Sequence, residues 1–151
     1  MNYKIVYTEA YEDICTVHDA LYEYNLMHTG LERSAVMAKK CKNSGAYIVR
    51  GDDGKIYGGV VWHHLEEDFQ TVFVDYMYVD DALRGSGKGK ELFAALEKHV
   101  KENGVKTVQV TTNSFQAPGF YTAIGYKQFD AQAAPQPKVP DNVHYYYSKD
   151  L

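Results

Sequence analysis

Three glycines at alternate positions, in the run Arg84-Gly85-Ser86-Gly87-Lys88-Gly89, join an apolar strand-like segment ending Met77-Tyr78-Val79 to a strongly helical one. Without Cβ atoms, the backbone there can bring its N–H groups close to a phosphate, and the next helix starts with its positive dipole end at the same spot. The loop reads as a diphosphate cradle. Two nucleotide-binding folds also open with strand, glycine loop and helix, and the spacing argues against both. A P-loop needs Gly-x-x-x-x-Gly-Lys followed by Ser or Thr, whereas Arg84 holds the first glycine position here and Glu91 follows Gly89-Lys90. A dinucleotide fingerprint needs Gly-x-Gly-x-x-Gly with an acid about twenty residues on; here the spacing is Gly85-x-Gly87-x-Gly89, and Val108-Gln109-Val110-Thr111 carries no acid.

The order of elements around the loop follows from periodicity. Lys4 to Thr8 reads as a strand, and Tyr11, Ile14, Cys15, His18, Leu21, Tyr22 and Leu26 recur at helical steps. A weaker helix is expected over Glu32–Cys41, closed by Asn43-Ser44-Gly45. Strands over Ala46–Arg50, Ile56–Leu65 and Phe69–Val79 make an antiparallel meander with a tight turn at Asp52-Asp53-Gly54. Simple alternation in the third places Val72, Val74, Tyr76 and Tyr78 on one face and Phe73, Asp75, Met77 and Val79 on the other, as in a strand covered twice. Leu92, Phe93, Leu96 and Val100 form one stripe of the helix after the loop, which stops at Asn103-Gly104. Val105–Thr112 then returns parallel to the preceding strand. A short helix carries Phe120, Tyr121 and Ile124; Tyr126–Phe129 and Val143–Lys149 are strands; and residues 131–142, with three prolines, read as a loop.

The loop after Met77-Tyr78-Val79, together with Asn113-Ser114-Phe115-Gln116-Ala117-Pro118-Gly119-Phe120-Tyr121 and Gly125-Tyr126, resembles the two motifs of the GNAT superfamily of N-acetyltransferases. The resemblance spans roughly residues 74–129. It implies an α/β fold with a mixed, mostly antiparallel central sheet flanked by helices, and a parallel strand pair splayed at a coenzyme A site. It further implies that acetyl coenzyme A is the co-substrate and no metal is needed. The amides of Gly85, Ser86, Gly87, Lys88, Gly89 and Lys90 would take the pyrophosphate, with Arg84 and Lys88 as counter-charges. Backbone groups at Met77 and Val79 would hold the pantetheine arm and polarise the thioester carbonyl. Asn113 would either contact the pantetheine or tie down the following helix, for which it is equally suited as an N-cap.

Tyr121 is the foremost candidate for catalysis. Amine attack on a thioester expels a thiolate whose acid has a pKa of about 8.5, and a phenol near 10 can return that proton while staying neutral at pH 7. Phe120 next to it is the better core candidate, since adjacent helix positions face differently. The acceptor, an alkylamine of pKa about 10.4, must first lose a proton at a cost of about 4–5 kcal/mol at pH 7. Asp75, the one charge inside its strand, is a candidate base; Glu66, Glu67, His63 and His64 are others. Tyr22, Tyr24, Asn25 and His28 give the first helix a polar-aromatic end suited to framing an acceptor.

Bulk properties bound these expectations. A chain of 151 residues with 45% apolar content suits one domain, spanning residues 1–151. No apolar stretch reaches the length of a membrane span, and the start of the chain has no basic region or cleavage site, so a soluble cytoplasmic protein is expected. A net charge of −4 and the lack of a basic block disfavour nucleic acid. Cys15 and Cys41 have no metal-type spacing and lie in neither motif, which argues against a cysteine relay. The expected activity is therefore acetyl transfer to a primary amine of a small molecule or peptide by direct attack, with homodimerisation common in similar proteins. A non-catalytic acyl-coenzyme A binding or sensing module is the alternative.

Overall fold

The amphipathic patterns resolve, in a computed structural model describing residues 1–30 and 45–151, into strands β1 (Tyr3–Thr8), β2 (Gly45–Gly51), β3 (Ile56–His64), β4 (Thr71–Val79), β5 (Thr107–Asn113), β6 (Lys127–Ala133) and β7 (Val143–Asp150). The helices are α1 (Tyr11–Thr29), α2 (Lys88–Glu102) and α3 (Pro118–Ala123). The helix expected over Glu32–Cys41 lies outside the described residues. The strands form one sheet in the order β1-β2-β3-β4-β5-β7-β6, antiparallel at every step except β4–β5. This is the mixed sheet that the sequence implied. The expected loop begins later than residue 131, because β6 runs on to Ala133 along β7.

Helices cover the sheet from both faces. On one side, Leu92, Phe93, Leu96 and Val100 of α2 pack on Val49, Val60, Trp62, Val72, Val74 and Val108. Fully burying each such side chain contributes about 1.5–3 kcal/mol. On the other side, Ile14 and Val17 of α1 pack on Ala46, Ile48, Val61 and Tyr76.

Strand β4 departs from simple alternation, and the departure shapes the site. Val61 faces Tyr76 while Trp62 faces Val74, so Asp75 is the extra residue of a β-bulge. The bulge moves Tyr76 and Tyr78 to the α1 face and leaves Met77 and Val79 with Val72 and Val74 on the α2 face. The expected grouping of Val72, Val74, Tyr76 and Tyr78 is thereby split at its middle. The other expected group splits at the same point, Asp75 staying with Phe73 on the α1 face while Met77 and Val79 leave it.

Candidate active site

Strands β4 and β5 pair only from Thr71↔Thr107 to Phe73↔Gln109, then part. The gap opens into a cleft of about 530 Å³, walled by Val74 to Val79 apart from Tyr76, by Val110 to Thr112, by the glycine loop and by Phe120 and Tyr121. That is the size of a small-molecule site. The Asp80 N–H donates to the Tyr57 carbonyl at 2.8 Å. Antiparallel pairs alternate between bonded and non-bonded, so in the register Gly58↔Val79, Gly59↔Tyr78, Val60↔Met77 the backbone groups of Met77 and Val79 point away from β3. With β5 splayed off, they point into the cleft. The Arg84 Nε confirms the direction by reaching the Val79 carbonyl at 3.3 Å.

The glycine loop closes one end. Gly87 caps α2 in the left-handed region at φ 84°, and Gly85 turns the chain at φ 79°. Neither has a neighbour that a Cβ would meet, so backbone conformation is what requires glycine there. Gly89 differs: its added Cβ would lie 3.2 Å from Met77 Cε and 3.3 Å from Phe120, so it keeps the cleft open. The first intrahelical bond is Glu91 N–H to the Gly87 carbonyl at 3.0 Å. The N–H groups of Gly85, Gly87, Lys88, Gly89 and Lys90 have no acceptor among the described residues. The Ser86 hydroxyl is spent inside the loop on the Leu83 carbonyl. Five open amides at a helix N-terminus fit a diphosphate.

The two cations are partly committed. Arg84 pairs with Asp81 at 3.1 Å and lies 4.7 Å from the centre of the Tyr24 ring, while Lys88 pairs with Glu91 at 2.9 Å. Arg84, Lys88 and Lys90 nonetheless all line one end of the cleft. Asp75 is the one carboxylate among the described lining residues, and it sits away from them in the middle of β4. Charge is thus segregated, with positive charge where a diphosphate would sit and negative charge deeper in.

Asp75 is not a solitary carboxylate. Its Oδ1 lies 2.7 Å from His63 Nδ1, with 7% of the Asp75 side chain exposed and 32% of His63. Strand β3 alternates Val60 and Trp62 on the α2 face with Val61 on the α1 face, so His63 belongs to the α1 face and Asp75 meets it there. The structure thus brings together two base candidates that the sequence left separate. His64 instead turns to the Phe69 carbonyl at 3.0 Å, and Glu66 and Glu67 lie on the exposed β3–β4 turn.

Positions 120 and 121 exchange their expected burial. Tyr121 is 6% exposed and contacts Phe93, Phe120, Tyr126 and Tyr147, whereas Phe120 sits half-buried at the cleft rim. A helix of six residues is too short for its sequence to reveal which side faces inward. The Tyr121 hydroxyl has no hydrogen bond to a described residue; since no buried polar side-chain atom among these is left without a partner, it opens onto the cleft. Burial pushes this phenol above its ordinary value.

Asn113 does not line the cleft. Its Oδ1 accepts from Asn142 Nδ2 at 3.0 Å and lies 3.0 Å from His144 Nδ1, while its Nδ2 and backbone N–H both go to Gln116 Oε1. Gln116 in turn donates to Asn25 of α1 at 3.0 Å. The cap residue of α3 is Ala117, so Asn113 is neither an N-cap nor a wall residue. It ties the β5–α3 turn in place, the second of the two roles implied by resemblance. Asn142, buried, also donates to the Ala134 carbonyl and accepts from Ser114. Replacing Asn142 with Ala strands these partners and is expected to cost about 1–3 kcal/mol, read as a lower urea midpoint at unchanged slope.

Several wall residues carried little sequence signal: Leu21 of α1, Leu83 of the 3₁₀ turn, and Thr111, Thr112 and Ala117 are ordinary residue types placed by topology. Tyr24, read as framing an acceptor, also forms part of the wall.

A splayed parallel pair that meets an anion-binding helix start defines a thioester-donor acyltransferase cleft. The sequence model of the acetyltransferase (GNAT) family matches residues 9–126, and the chain belongs to that family. Blasticidin-S acetyltransferase of Streptomyces morookaense is 38% identical over 98 residues, covering 64% of this chain and 70% of that protein. A crystal structure of an acetyltransferase from Bacillus cereus superposes with a TM-score of 0.64 at 26% identity, covering 90% of this chain and 89% of that one. An acetyltransferase of Bacillus anthracis, solved in complex with acetyl coenzyme A, superposes with a TM-score of 0.61 at 20% identity over 74% of this chain and 65% of that one. The protein is an acetyl-coenzyme A-dependent acetyltransferase, and no helix among its described residues is long and apolar enough to cross a membrane.

Proposed function

We propose that the chain acetylates a primary amine of a small molecule or peptide by direct attack, with no covalent enzyme intermediate. The observation carrying this reading is the segregation of charge along one cleft, with open amides and cations at the loop and the His63-paired carboxylate of Asp75 beside the backbone groups of Met77 and Val79. Acetyl coenzyme A supplies the activated acyl thioester. The loop amides hold its diphosphate, and the N–H groups of Met77 and Val79 act as preorganised donors to the pantetheine and thioester. Asp75 draws in the acceptor as an ammonium and takes its proton.

Tyr121 returns a proton to the leaving sulfur. Burial raises this phenol above its ordinary value, which keeps it in the protonated form that can donate to the developing thiolate. The aromatic α1 side of the cleft, with Tyr24 and Tyr78, favours a small amine with a flat or apolar body. The similarity to blasticidin-S acetyltransferase, whose name gives a small-molecule acceptor, supports the same preference.

The test is release of free thiol from acetyl coenzyme A across polyamines, amino sugars, amine-bearing nucleosides, and peptides with free N-termini or lysines. Turnover is expected with a small amine above any peptide. Tight coenzyme A binding with no thiol release from any acceptor would favour a sensing module instead.

A further inference from the structure

Resting on the reading of Asp75 just given, we propose that His63 is a positioning and proton-relay residue for the reaction. It would carry the acceptor's proton from the cleft to solvent on the α1 face of the sheet. The two ends of such a path are present. Asp75 lines the cleft with its side chain almost fully buried, His63 does not line the cleft, and their 2.7 Å contact joins the buried carboxylate to a ring that is one-third exposed. Alternation from Val72 and Val74 on the α2 face puts Phe73 and Asp75 on the α1 face with His63, and the bulge at Asp75 then returns Met77 and Val79 to the α2 face, so that the carboxylate stands beside the cleft-facing groups of β4.

A buried carboxylate that takes a proton must lose it before the next turnover, and the one-third exposed ring of His63 offers it a route to water. While Asp75 is ionised the ring donates its Nδ1 proton to it. Once Asp75 has taken the acceptor's proton, the ring exchanges through water to its Nε2–H tautomer, accepts the Asp75 proton on Nδ1 and releases the Nε2 proton to water, which restores the resting pair. The balance closes. An ammonium and a thioester give an amide, a thiol and one proton. The C–N bond forms and the C–S bond breaks; of the three nitrogen protons one stays on the amide, one ends on sulfur and one leaves through His63. The pairing also holds the Asp75 carboxylate in a single orientation toward the acceptor.

The experiment compares wild type, His63→Gln and His63→Phe with the best amine acceptor of the panel above. His63→Gln is expected to lower kcat about 10–100-fold with the KM for acetyl coenzyme A unchanged, and added imidazole in the buffer is expected to restore several-fold of the loss. His63→Phe should lose as much and, with the opening filled, show less rescue. In the free wild-type protein, ¹⁵N–¹H spectra should show a strongly downfield His63 Nδ1 proton that Asp75→Asn abolishes. Equal kcat in wild type and His63→Gln, or a loss that imidazole does not touch while the downfield proton is absent, would overturn the relay. Failure of wild type itself to release thiol would instead overturn the functional reading on which it rests.

Discussion

Tyr121→Phe is expected to lower kcat roughly ten- to a thousandfold while affinity for coenzyme A changes by less than about twofold. The ring keeps its edge-on packing with Phe93, Phe120 and Tyr126, and the missing hydroxyl made no hydrogen bond to a described residue, so the fold loses nothing. Thermal melting should therefore match wild type, which separates a chemical defect from a structural one. The pH profile sharpens the test. Because burial raises the Tyr121 pKa above its ordinary value of 10.0, the phenol stays protonated across an assay from pH 6 to 9.5, and its loss lowers the profile evenly without moving either limb. A variant that turns over a good acceptor as fast as wild type would remove Tyr121 from proton delivery. A variant that lost only its alkaline limb would show that the hydroxyl ionises, contrary to its burial.

The glycine loop, the helix behind it and the parallel return of β5 were legible in the sequence because each rests on local chemistry: φ > 0 at Gly85 and Gly87, a four-residue apolar stripe, and an Asn-Gly stop. The bulge at Asp75 was not. Val72, Val74, Tyr76 and Tyr78 are all acceptable on a buried face, so the pattern looks continuous although the chain steps over one residue between Val74 and Tyr76. The pairing of His63 with Asp75 was hidden because it depends on the register of β3 against β4, in which His63 faces Phe73, two residues from Asp75. The exchange between Phe120 and Tyr121 has another origin: in six residues, the orientation of α3 is set by Phe93 and Tyr147 from distant elements and not by its own periodicity. Asn113 illustrates a third limit. An Asn leaving a strand is equally suited to a ligand, a cap or a network, and only the positions of Gln116, Asn142 and His144 decide among them.

Gly58→Ala should show how closely the cleft depends on the distance between two backbones. Gly58 faces Val79 as a non-bonded antiparallel pair, the closer of the two pair types, and an added Cβ would lie 2.6 Å from the Tyr78 carbonyl oxygen and 3.1 Å from Val79 Cα. Both are main-chain atoms, so no rotamer can relieve the contact and the strands must separate where Met77 and Val79 present their groups to the cleft. The expected cost is about 1–3 kcal/mol, a fall in Tm of roughly 3–10 °C, together with a weakened Kd for coenzyme A measured by calorimetry on folded protein. Gly119→Ala is the matched control. Its Cβ would meet nothing within 4 Å, it has no positive φ and it lies in the first turn of α3, where Ala is the better helix former. That variant should melt at or slightly above wild type and bind coenzyme A normally. If Gly58→Ala matched the control in both measurements, β3 would not be what holds the donor groups of β4 in place, and the orientation of Met77 and Val79 would have to come from the α2 side through Gly89 and Phe120.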